Sequence, residues 1–272
     1  MLRSLTVAME FDSDGVRLHY ELHGPEYGAP VLLVHGFASD YQLNWVGTRW
    51  QETLVNANYL VIGLDCRGHG RSDKPRDPAA YAIETMAADV RRLLDELAIA
   101  STDYIGYSMG ARIGLQGMVD FPDRFRSTVL GGVSTGGAIE EAEAIARALR
   151  GGQPETAAAL SFQRFASARP TNDLEALAAC MQGLGRSERI DRDRLATIKT
   201  PVLVVVGDRD EIARNAPKLA ERIPTARLVL IPGRDHMSTV PARQFKQAAL
   251  DFLAESKAPP GGVPPSPRAQ PT

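Results

Sequence analysis

The residues of this 272-residue sequence best suited to chemistry are Gly106, Tyr107, Ser108, Met109 and Gly110, which fit the pattern G-x-S-x-G. A serine hydroxyl is a weak nucleophile until a base takes its proton and fixed N–H groups face the oxygen that becomes negative. A sharp turn from strand to helix supplies the second condition, because it pushes the serine out of the sheet and aims backbone N–H groups at one point. Glycines two residues to either side remove the Cβ atoms that would collide where strand and helix pass closely, and a turn this tight strains the serine's own backbone. Three fixed residues in five recur by chance, and a plain Gly/Ser turn before a helix has the same pattern. The flanks favour the chemical reading. Residues 101–105 carry β-branched and aromatic side chains, whereas Ile113, Leu115, Met118 and Val119 recur at near-helical spacing until Pro122 stops the helix.

The elements that would position such a serine are legible along the chain. Val16, Leu18, Tyr20 and Leu22 alternate after Asp14 and Gly15, which predicts a hairpin with its turn at that pair. His19 and His23 fall on or just after this strand; with no nucleophile or acid spaced to meet them, they are expected at the surface or in a turn. Residues 31–34, 59–64 and 202–206 are continuous apolar runs, as in parallel strands covered by helices on both faces. Open sheets of that kind bind ligands at the carboxyl ends of their strands. Residues 83–97 form an amphipathic helix with Met86, Val90, Leu93, Leu94 and Leu97 on one stripe. After a strand at 127–130, ended by Gly131 and Gly132, β/α alternation breaks. Residues 138–198 are Ala-rich and interrupted at 151–154, 169–170 and 183–185, which predicts three short helices and no strand. Phe162, Phe165, Leu177 and Met181 are candidate pocket walls there, each as apt to pack among those helices. A strand at 227–231 and a helix from 240 to 255 close the pattern, and residues 257–272, with six prolines and no apolar periodicity, are expected to be disordered.

Composition narrows the partners. With 44% hydrophobic residues the chain can bury one large core. Its 31 basic and 33 acidic residues leave a formal charge of -2, with no basic excess for nucleic acid. Apolar runs stay far below the roughly 20 residues a membrane span needs, and the start lacks the apolar core of a signal peptide. A cytoplasmic protein acting on small molecules is expected, with neither nucleic acid nor membrane as partner. Cys66 and Cys180, far apart in sequence, fit buried inert thiols in a reducing compartment. No metal or cofactor is expected.

On these motifs the sequence resembles the α/β-hydrolase superfamily over residues 10–255, in its serine-nucleophile esterase, lactonase and haloperoxidase-like members. The segment Asp65, Cys66, Arg67, Gly68, His69, Gly70, Arg71, Ser72 matches that family's Asp-x-Arg-Gly-x-Gly-x-Ser loop; Asp65 and Arg67 are expected to pair and hold it, with His69 structural. The resemblance implies an α/β fold: a mostly parallel eight-stranded sheet flanked by helices, with a small helical cap inserted after strand 6. Residues 1–137 and 199–256 would be the core, 138–198 the cap and 257–272 a Pro-rich tail. It implies Ser108 as nucleophile, His236 as base and Asp210 as the acid in preference to Asp208, although Glu211 stands where the family often has proline. The N–H groups of Phe37 and Met109 would form the oxyanion hole, with the His35 side chain only shaping its turn, and Phe162, Phe165 and Met181 would bind substrate. The implied activity is hydrolysis of a small to medium carboxylic ester or lactone. A cofactor-free haloperoxidase or perhydrolase and a carbon–carbon bond hydrolase share the triad, and a non-catalytic receptor on the same fold is a third class. The specific substrate and the oligomeric state stay open.

Overall fold

The computed structural model of the protein describes residues 4–135, 139, 141–188 and 190–257; of the predicted disordered tail, only Lys257 falls within them. β1 (Ser4–Ser13) and β2 (Val16–Pro25) form the predicted hairpin, with Ser13 opposite Val16 and positive φ at both Asp14 (59°) and Gly15 (77°). That pair of angles gives the tight turn whose twist suits a right-handed ribbon. There follow β3 (Ala29–Val34), α1 (Trp50–Asn56), β4 (Tyr59–Leu64), α2 (Ile83–Glu96), β5 (Thr102–Tyr107), α3 (Met109–Asp120) and β6 (Phe125–Gly131). Next come α4 (Ala142–Leu149), α5 (Ala157–Ser167), α6 (Leu174–Arg186) and α7 (Arg192–Ala196). The chain closes with β7 (Val202–Gly207), α8 (Ala216–Ala220), β8 (Ala226–Ile231) and α9 (Arg243–Lys257).

The eight strands form one sheet in the order β1-β2-β4-β3-β5-β6-β7-β8, antiparallel at β1-β2 and β2-β4 and parallel from β4 to β8. The continuous apolar runs are explained by two cores, one on each face. Leu32 and Val34 of β3 and Val202, Val204 and Val206 of β7 face the core shared with α2, α3 and the inserted helices. Val31, Leu33, Leu203 and Val205 face the other core, with Trp50 and Leu54 of α1 and Phe245 and Phe252 of α9. Side chains alternate across a strand, so a strand covered on both faces is apolar at every position.

Several local expectations are corrected. Among the described residues, four helices rather than three lie between β6 and β7. Gly183 and Gly185 do not break a helix but lie inside α6, where they permit close packing: a Cβ at Gly183 would run into the Pro78 carbonyl and Tyr81, and one at Gly185 into Ala142. Asp65 and Arg67 do not pair with each other. Arg67 makes a two-pronged contact with Asp89 on α2 (Nε to Oδ2 2.7 Å, Nη2 to Oδ1 2.6 Å), and the Ser13 hydroxyl donates to the same carboxylate. Asp65 instead accepts the N–H groups of Tyr41 (2.8 Å) and Arg71 (2.9 Å), because a buried loop must satisfy its backbone donors. His19 is buried, not at the surface, since β2 lies between β1 and β4 and the 65–73 loop packs on it; His19 and His23 flank Glu21 at 3.6 and 2.9 Å.

Candidate active site

Ser108 sits between β5 and α3 with φ 52° and ψ -110°, a backbone strain that the surrounding packing must hold. A Cβ on Gly106 would clash with the Gly110 carbonyl, and one on Gly110 with the Val34 carbonyl of β3, so both glycines are there for close approach. The Ser108 N–H is fixed by the Gly131 carbonyl at 2.8 Å, and the Ser108 carbonyl accepts the Arg112 N–H at 3.0 Å. Met109 is the first residue of α3, where an N–H has no intrahelical acceptor.

His236 follows β8, and its Nε2 is 3.1 Å from Ser108 Oγ while its Nδ1 is 2.8 Å from Asp210 Oδ2. The Asp210 side chain is buried, and its other oxygen accepts the Ala213 N–H at 2.9 Å. With Nδ1–H donating to Asp210, Nε2 presents its lone pair to the serine hydroxyl. Asp208 is exposed and accepts the Gly233 N–H at 2.7 Å, away from His236. The Tyr107 hydroxyl donates to the backbone carbonyl of His236 and steadies that loop.

The loop after β3 passes close by, since a methyl group built on Gly36 would touch Ser108 Cβ at 3.5 Å. Gly36 donates its N–H to Asn44 Oδ1 at 3.1 Å. His35 is fully buried, its Nδ1–H donating to the Gly36 carbonyl (2.8 Å) and its Nε2 accepting the Cys66 N–H (3.0 Å). Both ring nitrogens are occupied, and burial, the largest influence, lowers its pKa. His69 is likewise buried, with Nδ1 bonded to the Arg67 carbonyl at 2.9 Å, and burial lowers its pKa to about 3. Both rings are neutral at pH 7. Cys66 and Cys180 are buried free thiols whose pKa values burial raises.

A cavity of about 350 Å³ opens over Ser108 and His236. Phe162 and Phe165 of α5 line it together with Phe37 and Tyr107. Met181 and Leu177 do not: they point into the core under α6, 1% and 0% exposed. Sequence reasoning missed Leu43, Ile212, Met237 and Val240, which also line the cavity. Ile212 stands two residues after Asp210 and Met237 directly after His236, so their adjacency to the expected acid and base was the available signal. Asn44 carried none, because its segment had no assigned element. Among the described residues no cluster of His, Cys, Asp or Glu could hold a metal ion, and no helix is long and apolar enough to cross a membrane.

Residues 29–181 match the family model for the alpha/beta hydrolase fold. The chain belongs to the α/β-hydrolase family. It is 33% identical to the dihydrolipoyllysine-residue acetyltransferase component of the acetoin cleaving system of Cupriavidus necator, over 92% of this chain and 68% of that protein. It is 31% identical to 3-oxoadipate enol-lactonase 2 of Acinetobacter baylyi, over 77% and 86% of the two chains. Among solved structures, the enol-lactonase from Burkholderia xenovorans LB400 superposes with a TM-score of 0.77 at 25% identity, over 90% of this chain and 100% of that one.

Proposed function

We propose that this α/β-fold hydrolase cleaves a small to medium carboxylic ester or lactone through an acyl-enzyme. The observation that carries the reading is the unbroken hydrogen-bonded line Ser108–His236–Asp210, with the Asp210 end buried and the Ser108 end open to the cavity. Ser108 Oγ attacks the carbonyl carbon as His236 Nε2 takes its proton, and the carbonyl oxygen becomes an oxyanion held by the N–H groups of Phe37 and Met109. His236 gives the proton to the leaving alcohol oxygen as the C–O bond breaks. Water then attacks the acyl-enzyme, again losing a proton to His236, and the acid leaves as Ser108 is reprotonated. Asp210 holds Nδ1–H and stabilises the imidazolium in each step.

Residues 138–198 act as the cap in this reading, with Phe162 and Phe165 as the pocket roof. A cavity of about 350 Å³ lies at the small end of ligand sites and suits a short or medium acyl group. The naming of the A. baylyi and B. xenovorans relatives as enol-lactonases supports lactones beside open-chain esters. The test is turnover of p-nitrophenyl butanoate and of a panel of five- and six-membered lactones, with a fluorophosphonate labelling Ser108 in the wild type. Labelling and turnover should both vanish in Ser108→Ala; labelling at another serine, with Ser108→Ala still active, would overturn the assignment.

A further inference from the structure

The loop from His35 to Asp40 is buried throughout, and it is held from two sides. On the core side, Asn44 fixes Gly36. On the cap side the contacts come from the turn between α5 and α6. Asn172 Nδ2 donates to the Ala38 carbonyl at 3.2 Å, and Arg169 Nη2 is 2.6 Å from Asp40 Oδ2. The same turn is self-braced: Asn172 Nδ2 also donates to the Ala166 carbonyl (2.9 Å) and its N–H to the Arg169 carbonyl (3.0 Å). Ala38 has φ 55°, a left-handed conformation that a residue other than glycine holds only when its surroundings impose it. Burial alone would raise the Asp40 carboxyl, but the Leu43 N–H and the Arg169 guanidinium more than offset it, so Asp40 stays ionised at neutral pH. Phe37 thus lies between a residue pinned by the core and a residue pinned by the cap, with its ring edge-on to Phe162 at 5.7 Å.

We propose that Arg169 and Asn172 are positioning residues that set the direction of the Phe37 N–H by clamping Ala38 and Asp40 to the cap. The inference rests on the hydrolase reading, in which that N–H receives the oxyanion. Neither residue touches the reacting atoms. Their effect passes through the peptide after the strained Ala38: its carbonyl accepts from Asn172, while its Ser39 N–H donates at 3.3 Å to the Gly36 carbonyl, so its release would let the Gly36–Phe37 peptide, which carries the Phe37 N–H, turn away from the carbonyl oxygen. Misplacement by about 1 Å lowers a rate on the order of 100-fold, and loss of a whole oxyanion donor lowers it about 100- to 1,000-fold.

The test compares wild type, Arg169→Ala/Asn172→Ala, Arg169→Lys and Arg169→Ala/Asp40→Asn on p-nitrophenyl butanoate. Binding of butylboronic acid is measured in parallel, because its boron adds Ser108 Oγ to form a tetrahedral anion with an oxygen in the oxyanion hole. The Arg169→Ala/Asn172→Ala protein should lose about 10- to 100-fold in kcat with KM within about threefold, and the boronate Kd should rise by the same factor. Arg169→Lys, which keeps the charge, should recover most of both. Arg169→Ala/Asp40→Asn relieves the buried unpaired carboxylate, so its thermal midpoint should recover while kcat and boronate affinity stay low. Unchanged boronate affinity, or kcat returning with stability in that last variant, would overturn the proposal and leave ester hydrolysis standing. A wild type that binds boronate but turns over no ester, with affinity falling in the variants, would overturn the hydrolase reading and leave the clamp standing. A wild type that binds no boronate would overturn the clamp.

Discussion

Replacing Asp210 by Asn gives the sharpest test of the proposed triad, because the surroundings dictate which way the new amide faces. One oxygen of Asp210 accepts the Ala213 N–H at 2.9 Å, and the other meets His236 Nδ1 at 2.8 Å. The Asn oxygen must keep the first contact, since an NH2 group there would face an N–H donor. The NH2 group is then turned to His236 Nδ1, which has to accept, so the ring proton moves to Nε2. There it points at Ser108 Oγ, and the imidazole no longer offers a lone pair to the serine proton. Wrong-tautomer variants of such triads lose about 10⁴ in kcat, or roughly 5.4 kcal/mol of barrier at about 1.36 kcal/mol per decade. Asp208→Asn is the matched control: its oxygen can still accept the Gly233 N–H seen at 2.7 Å, and it stands apart from His236. Its expected loss is under about tenfold. Steady-state kinetics on p-nitrophenyl butanoate at pH 7.5, with thermal midpoints to confirm folding, measure both. A larger loss in Asp208→Asn, or an Asp210→Asn enzyme within about tenfold of wild type, would refute the reasoning.

Three further outcomes are expected. Across p-nitrophenyl acetate to palmitate, kcat/KM should rise by up to about fourfold per carbon, at about 0.8 kcal/mol per buried methylene, peak near roughly four to eight carbons and then fall; a profile still climbing at palmitate would mean that the 350 Å³ cavity opens onto a longer groove. Asp89→Ala strands the buried Arg67 guanidinium and should destabilise the fold by about 3–5 kcal/mol, lowering the thermal midpoint by about 6–20 °C; a shift under about 2 °C by calorimetry would show the pair to be dispensable. His69, whose pKa burial lowers from 6.5 to about 3, binds no proton in the folded state where the unfolded chain does. Its contribution to stability is therefore complete above pH 6.5 and is lost as the pH falls toward 3, the loss reaching about 2 kcal/mol by pH 5. Urea unfolding at pH 5 and pH 7 should show His69→Gln to be less acid-sensitive than the wild type, and equal sensitivity would remove His69 as a source.

The parts of the fold that the sequence announced are those whose signal is local and repeated. Alternation in β2, unbroken apolar runs in β3, β4 and β7, and the glycine pair around Ser108 each report on their own neighbourhood. What stayed hidden depended on partners far along the chain. Arg67 meets Asp89, 22 residues away, and no periodicity links the two. Gly183 and Gly185 looked like breaks because glycine lowers helix propensity, whereas tertiary contact with Tyr81 and Ala142 decided the matter. Met181 and Phe162 were equivalent as apolar residues on helices. Only the direction of each helix face separates a wall of the cavity from a filler of the core.

The five histidines show how environment, not residue type, sorts candidates for a base. His35 and His69 are sealed in the core with Nδ1 bonded to backbone carbonyls, and burial holds both neutral. Neither could accept a proton from a serine and remain stable as an imidazolium, because among the described residues no carboxylate is hydrogen-bonded to either ring. His19 and His23 do touch one, Glu21, but β2 lies on the far side of β4 and β3 from Ser108. His236 alone combines a carboxylate on one nitrogen, a serine hydroxyl on the other and a cavity for the reacting carbonyl. A proton taken from Ser108 would create its positive charge 2.8 Å from an existing negative one, in a place solvent screens weakly. That difference is why the proposed base is the histidine in the loop after β8 and not one of the better-buried histidines near β3.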